Sequence, residues 1–227
     1  MKKPVFYTEA AYFIGLFLLA LGTALTAYGG FGISMVVAPA YILHLFLSQF
    51  FPFFGFGVAE YVMQAVILLL LPLLLRKAKL SYLLSFAAAI LYGLLLDGSM
   101  LLTSLLPVNI FLQIAAYVLG VAFCTFSIAL LFASYLPPAA YEMFVKELAE
   151  KLDKPIHRVK TIYDCASLVL ALLLSLAFFA DIQGIGIGTV LCALFYGTLI
   201  HFWATCFEKR LCFTDKFPLR QYFKNER

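Results

Sequence analysis

Apolar residues run almost unbroken along this chain, and the few polar positions divide it into segments of bilayer length. Ala10 to Tyr28 is an uncharged run of 19 residues, close to the roughly 20 that a helix needs to cross a hydrocarbon core. Val58 to Leu75, Leu80 to Leu96, Ile110 to Ala133, Thr161 to Ala180 and Ile185 to Phe207 predict five further spans. Ile33 to Phe54 is also uncharged, but Pro39, His44, Ser48, Gln49 and Pro52 interrupt it. That pattern leaves three readings: a span, a re-entrant segment or an interfacial helix. The N-terminal MKKPVFYTEAAYFIG has the basic start of a signal peptide. Its apolar run is as long as a span and no small-residue cleavage site follows, which predicts a retained first helix.

The one long charged interval is Tyr135 to Asp164. Pro137 and Pro138 end one helix there and suit the first turn of the next. Ala140, Phe144, Val145, Leu148, Ala149 and Leu152 then fall on one helical face, and Glu142, Lys146, Glu147, Glu150 and Lys151 on the other. The periodicity predicts an amphipathic helix over Tyr141 to Asp153 that lies at the membrane surface.

Charge decides the topology. If Ile33 to Phe54 does not cross and the N-terminus is inside, all 16 Lys and Arg fall on the cytoplasmic side. If it crosses, Arg76, Lys77 and Lys79 change sides, against the positive-inside rule. The expectation is an all-α polytopic membrane protein with six transmembrane helices and both termini cytoplasmic. A single transmembrane domain over residues 1–208 precedes a basic cytoplasmic tail, 209–227. The bacterial cytoplasmic (inner) membrane is the expected location.

The halves echo each other. Tyr92-Gly93 returns as Tyr196-Gly197 at an offset of 104 residues, at which Ala89 meets Ala193, Leu95 meets Leu199 and Glu60 meets Asp164. Each half reads as a span, an interrupted or amphipathic segment, then two spans. Three spans per half predict two inverted three-helix repeats, about 8–106 and 107–208, the plan of many secondary transporters.

Composition narrows the chemistry. The chain is 64% hydrophobic and 12% charged, against about a quarter charged in soluble domains. Its net charge of +4 comes from basic residues bordering the spans, so no nucleic-acid partner is implied. Cys124, Cys165, Cys192, Cys206 and Cys212 show no CxxC or Cys/His spacing, and His44, His157 and His201 are scattered, so no metal site or cofactor is expected. Neither GxSxG nor HExxH occurs, and the chain is not expected to be an enzyme.

The candidate substrate-binding residues come from two signals. Glu60 and Asp164 are acids near the starts of spans, where an ionisable group marks function unless it only sits at a helix end. Gly184, Gly186, Gly188 and Thr189, in DIQGIGIGTV, lack the strand and helix of a nucleotide loop. They serve either close helix packing or an irregular helix start whose free amides bind an anionic group. GGFGIS, Gly29 to Ser34, is a second such start, capped by Ser34. Tyr92 and Tyr196 either line a polar path or pack within the helices.

Tyr141, Glu142, Met143 and Phe144, followed by Val159, Lys160, Tyr163 and Asp164 and by the GIGIGT run, resemble the YczE-like branch of the YitT/YczE family of bacterial integral membrane proteins. The resemblance covers roughly Ala10 to Phe207 and implies a membrane fold without an assigned substrate. The functional expectation is a small-solute transporter or permease-like protein whose partners are the lipid bilayer and an unknown small solute. The alternative is a non-transporting scaffold or substrate-capturing subunit that docks a protein partner through the cytoplasmic amphipathic helix.

Overall fold

The computed structural model describes residues 4–76 and 79–216; Lys2, Lys3, Lys77 and the basic tail from Phe217 onward lie outside the described residues. The long helices are α1 (Thr8–Gly29), α3 (Phe56–Leu75), α4 (Leu80–Ser104), α5 (Ile110–Ala133), α7 (Ile156–Phe179) and α8 (Ile187–Arg210), and two short ones are α2 (Ala38–Leu47) and α6 (Ala140–Leu152). The six long helices are apolar and long enough to cross a membrane, whereas α2 is not. This is the build of a multi-pass membrane protein. Its outer surface carries residues such as Leu69, Leu73, Phe111 and Ile187, each more than 70% exposed, while Glu60, Gln64, Thr23 and Asp164 are buried. Apolar side chains outside and polar ones inside suit a lipid solvent.

Local chemistry explains the helix ends. Gly30, left-handed at φ 73°, closes α1 with its N–H on the Ala27 carbonyl. Asn109 Oδ1 accepts the Phe111 N–H to start α5, and Pro155 precedes the first turn of α7. Two boundaries differ from the sequence reading. Helix α4 continues through Asp97 and Gly98 to Ser104, because the Asp97 carboxylate accepts the Gly57 N–H rather than ending its own helix. Helix α7 starts at Ile156 and takes in the charged turn before Thr161.

Contacts divide the molecule into two ends. At one, β1 (Val5–Tyr7) pairs in parallel with β2 (Cys212–Thr214), Tyr12 donates to the Pro137 carbonyl at 2.9 Å, Tyr135 donates to Glu9, and Lys79 pairs with Glu147. The described Lys and Arg residues all belong to this basic end. At the other, Tyr28 donates to the Pro107 carbonyl, Ile33 N–H to the Gly184 carbonyl, and the Phe46 and Phe178 rings stack. The long helices therefore alternate in direction, α2 sits at the far end, and α6 at the basic end.

The two halves pack alike in opposite senses. Helix α1 packs on α4 as α5 does on α8, and α3 on α4 as α7 does on α8. Helix α2 lies against α3 and α7, and α6 lies against the same two helices from the other end. Helices α1 and α5 meet along the axis that relates the halves, where a Cβ on Gly22 would come within 2.8 Å of the Gly120 carbonyl, and one on Gly120 within 2.7 Å of the Gly22 carbonyl. Small residues let these backbones close.

The same contacts correct the repeat register. Gly93 faces Tyr61 and Gly197 faces Thr161. The third helices are thus related by 104 residues, but the second helices by 100, taking Tyr61 to Thr161. Helix α7 is four residues longer than α3, 24 against 20, which accounts for the change. Glu60 therefore corresponds to Lys160, and Gln64 to Asp164, rather than Glu60 to Asp164.

Candidate functional site

Helices α2 and α6 enter from opposite ends and both begin at the middle of the molecule. Ser34 and Val37, ahead of α2, and Tyr141 and Glu142, in the first turn of α6, line one cavity of about 20 Å³, enough for a single water-sized occupant. Tyr92 of α4 and Tyr196 of α8 face it as an equivalent pair. Tyr92 shares a 3.1 Å hydrogen bond with Thr23, and the Tyr196 hydroxyl is buried without a partner. Both tyrosines also pack within the buried core, so they meet the cavity and the helix packing at once.

The acids flank the start of α6. On the α3 side, Gln64 Nε2 donates to Glu60 Oε2 at 3.1 Å, and Gln64 Oε1 accepts the Ala140 N–H at 3.2 Å. The Tyr141 hydroxyl stands beside Glu60 without closing a hydrogen bond. On the α7 side, Lys160 pairs with Asp164, and Glu142 lies within electrostatic reach of both. Glu60 and Asp164 are 0% exposed, Lys160 1% and Glu142 3%. Neither acid is at a water-bathed helix end, and the two serve opposite flanks of α6 rather than contacting each other. Glu60 Oε1, Glu142 Oε2 and Asp164 Oδ2 have no hydrogen-bond partner.

Glu142 corrects the amphipathic reading. The wheel places it on the polar face, but α6 is held between α3 and α7, and its first turns, through Val145, are largely buried. A helix sunk into the molecule at one end turns every face inward there. Sequence reasoning assigned Gln64 and Lys160 no site role, although each forms an i,i+4 polar pair within an apolar span, a spacing that puts both groups on one helix face.

The glycine-rich segments meet each other. The Gly188 N–H donates to the Phe31 carbonyl at 2.9 Å, the Gly186 N–H to Thr189 Oγ1 at 3.3 Å, and the Ile33 N–H to the Gly184 carbonyl at 3.2 Å. The Gly188 amide and the Gly184 carbonyl thus interlock the start of α8 with the turn after α1, and the Gly186 amide is held by Thr189 of its own helix. The left-handed glycines of these segments are Gly30, Gly32 and Gly184, at φ 73°, 100° and 70°, whereas Gly186 is extended. Ser34 does not cap α2 through its side chain; its carbonyl accepts the Val37 and Ala38 N–H groups.

A second, larger cavity of about 430 Å³ opens at the basic end between α5, α7 and α8. Lys160 lies on its wall, and His157 and His201, with ring centroids 5.4 Å apart, stand at it with Glu208. The repeat register relates His157 to Gly57 and His201 to Asp97. At the far end that pair is closed: Gly57 N–H donates to Asp97 Oδ1 at 2.9 Å, and Tyr61 covers Gly93.

Among the described residues no group of three or more His, Cys, Asp or Glu could hold a metal ion. The model of a family of unknown function (DUF6198) matches residues 6–205. No curated protein and no solved structure matches the chain.

Proposed function

We propose that this chain, which belongs to DUF6198 by a match over nearly its whole length, is a small-solute transporter that works by alternating access to its polar centre. One observation carries the reading. The halves repeat each other's packing in opposite senses, yet matching places differ: a 430 Å³ cavity reaches Lys160 at the basic end, while the equivalent Gly57 and Asp97 contact is closed at the other, where the cavity beside Tyr117, Gly188 and Tyr196 is smaller, about 250 Å³. Exchanging the two half conformations would close the first and open the second. Related inverted halves are the means by which many carriers hold two such states.

In this reading the basic end is cytoplasmic, with both termini on that side, as the positive-inside rule requires, and the membrane is the bacterial inner membrane. The kinship with the YczE-like branch, on Tyr141 to Phe144 and the positions after them, belongs to the same proposal. The chain acts on its solute by moving it, without catalysis. The subunit alternative needs an open docking helix, and α6 leaves mainly residues 150–154 exposed, which favours the carrier.

The test begins with a thermal-stability screen of small solutes on the purified protein, since a ligand preferring the folded state raises its stability. A stabilising solute should then be taken up into liposomes containing this protein alone. Glu60→Gln should abolish uptake while the protein stays monodisperse, and Asp164→Asn, which leaves the buried Lys160 unpaired, should lower stability as well as uptake. If stabilising solutes are never moved and a stoichiometric partner co-purifies through residues 150–154, the subunit reading replaces the carrier.

A further inference from the structure

The charge of the buried cluster is not balanced. Glu60, Glu142 and Asp164 supply three carboxylates, and Lys160 supplies one ammonium, so fully ionised the group would carry −2 within the membrane-spanning body. Charge at that depth is costly unless it is paired or neutralised. Lys160 already serves Asp164. The excess thus resides with Glu60 and Glu142, each with one carboxylate oxygen buried and unpartnered. The Tyr141 hydroxyl, 4% exposed and also unpartnered, stands beside Glu60, and Tyr141 and Glu142 both line the 20 Å³ central cavity.

We propose, resting on the carrier reading, that Glu60, Tyr141 and Glu142 form its coupling-ion site, which takes up small positive charge: protons, or an alkali cation in their place. A proton on Glu60 Oε1 neutralises the buried carboxyl and lets that oxygen donate to the Tyr141 hydroxyl, while Glu60 Oε2 keeps its bond from Gln64. A dehydrated alkali cation in the cavity would instead find Glu142, Tyr141 and the Gln64 carbonyl oxygen. Either occupant removes negative charge while the site faces neither end. The other titratable and charged groups facing Glu60 and Glu142 are Tyr92 from α4, Cys124 from α5, and Lys160, Tyr163 and Asp164 from α7. Helix α2 brings Tyr41 and His44, which pack on Phe56 one turn before Glu60. Lys160 is the single cation in that set and is already committed.

The experiment is the thermal midpoint of the purified full chain in choline buffers from pH 5.5 to 9, with and without added NaCl or KCl. If the folded site holds protons that the unfolded chain releases, the folded state binds more protons and stability falls as pH rises. The midpoint should then drop by several degrees across the range. Glu60→Gln together with Glu142→Gln, which fixes the neutral form, should stay high at pH 9 and respond to neither pH nor salt. A saturable rise at pH 9 with Na+ or K+, absent in choline and in the double variant, assigns the alkali cation; a pH response indifferent to both assigns the proton. A midpoint flat in pH and salt, or a double variant as responsive as the wild type, overturns the site. Uptake of a solute that neither a proton nor an alkali-cation gradient drives would keep the carrier and overturn the coupling. A site that titrates as expected in a protein that moves no solute would instead remove the carrier reading.

Discussion

At the residue scale, the glycines separate packing from ligand binding. A Cβ on Gly186 would fall well inside contact distance of the Phe31 carbonyl, and one on Gly188 would meet both that carbonyl and the Tyr117 hydroxyl. The Phe31 carbonyl is backbone, already engaged by the Gly188 N–H, and has little freedom to withdraw. Gly186→Ala should therefore destabilise the protein by about 1–3 kcal/mol, the usual range for overpacking. Gly98 is the control. It lies inside α4, where an added methyl group would have nothing within 4 Å, so Gly98→Ala should be neutral or stabilising by up to about 1 kcal/mol. Thermal melts in one detergent decide both. A Gly186→Ala protein as stable as the wild type would show that the interlock can open, and would return its amides to consideration as ligand groups.

At the element scale, the α1 and α5 seam is the joint on which the halves meet. The reciprocal approach of Gly22 and Gly120 leaves no room for a branched side chain on either helix. Gly120→Val should push the backbones apart and cost on the order of 3 kcal/mol, seen as a lower melting point and a broadened size-exclusion peak. An unchanged peak and melt would mean that the seam is not a tight joint. Removing Glu147 alone, which leaves Lys79 with its side chain 12% exposed and unpaired, should cost more than the roughly 1 kcal/mol of a solvent-exposed pair. The elements themselves were legible in the sequence. Apolar runs of span length marked all the long helices, because bilayer thickness dictates those lengths; the proline-broken Ile33 to Phe54 stayed open by its pattern, and the sidedness of Arg76, Lys77 and Lys79 argued against its crossing. The site was half legible. Glu60 and Asp164 stood out as charges in apolar surroundings, but their partners Gln64, Lys160 and Glu142 depended on α6 sinking between α3 and α7, a tertiary event that no helical wheel contains. The pairing of Glu60 with Asp164 failed for a related reason: a constant offset assumes equal elements, and α7 is four residues longer than α3, 24 against 20.

At the scale of the whole molecule, the unequal ends imply a second conformation whose residues can be named in advance. The repeat register relates Ala204, on the vestibule wall, to Met100 on the far side of the molecule. In the conformation described, Ala204→Cys should react quickly with a small maleimide and Met100→Cys slowly, in a protein whose exposed Cys165 and Cys212 have been replaced. A short thiol cross-link between His157→Cys and His201→Cys, whose native rings are 5.4 Å apart, should draw the basic end shut. Alternating access then requires the far end to open, so Ala204→Cys should slow and Met100→Cys should speed up by roughly tenfold, the change that a shift of about 1.4 kcal/mol in a two-state balance produces. Cross-linking Gly57→Cys to Asp97→Cys, where the native contact is already closed, should leave both rates as they were and stop uptake until the link is reduced. A molecule in which closing the basic end leaves Met100→Cys as unreactive as before has two independent ends, and its inverted halves do not act as the two sides of a carrier.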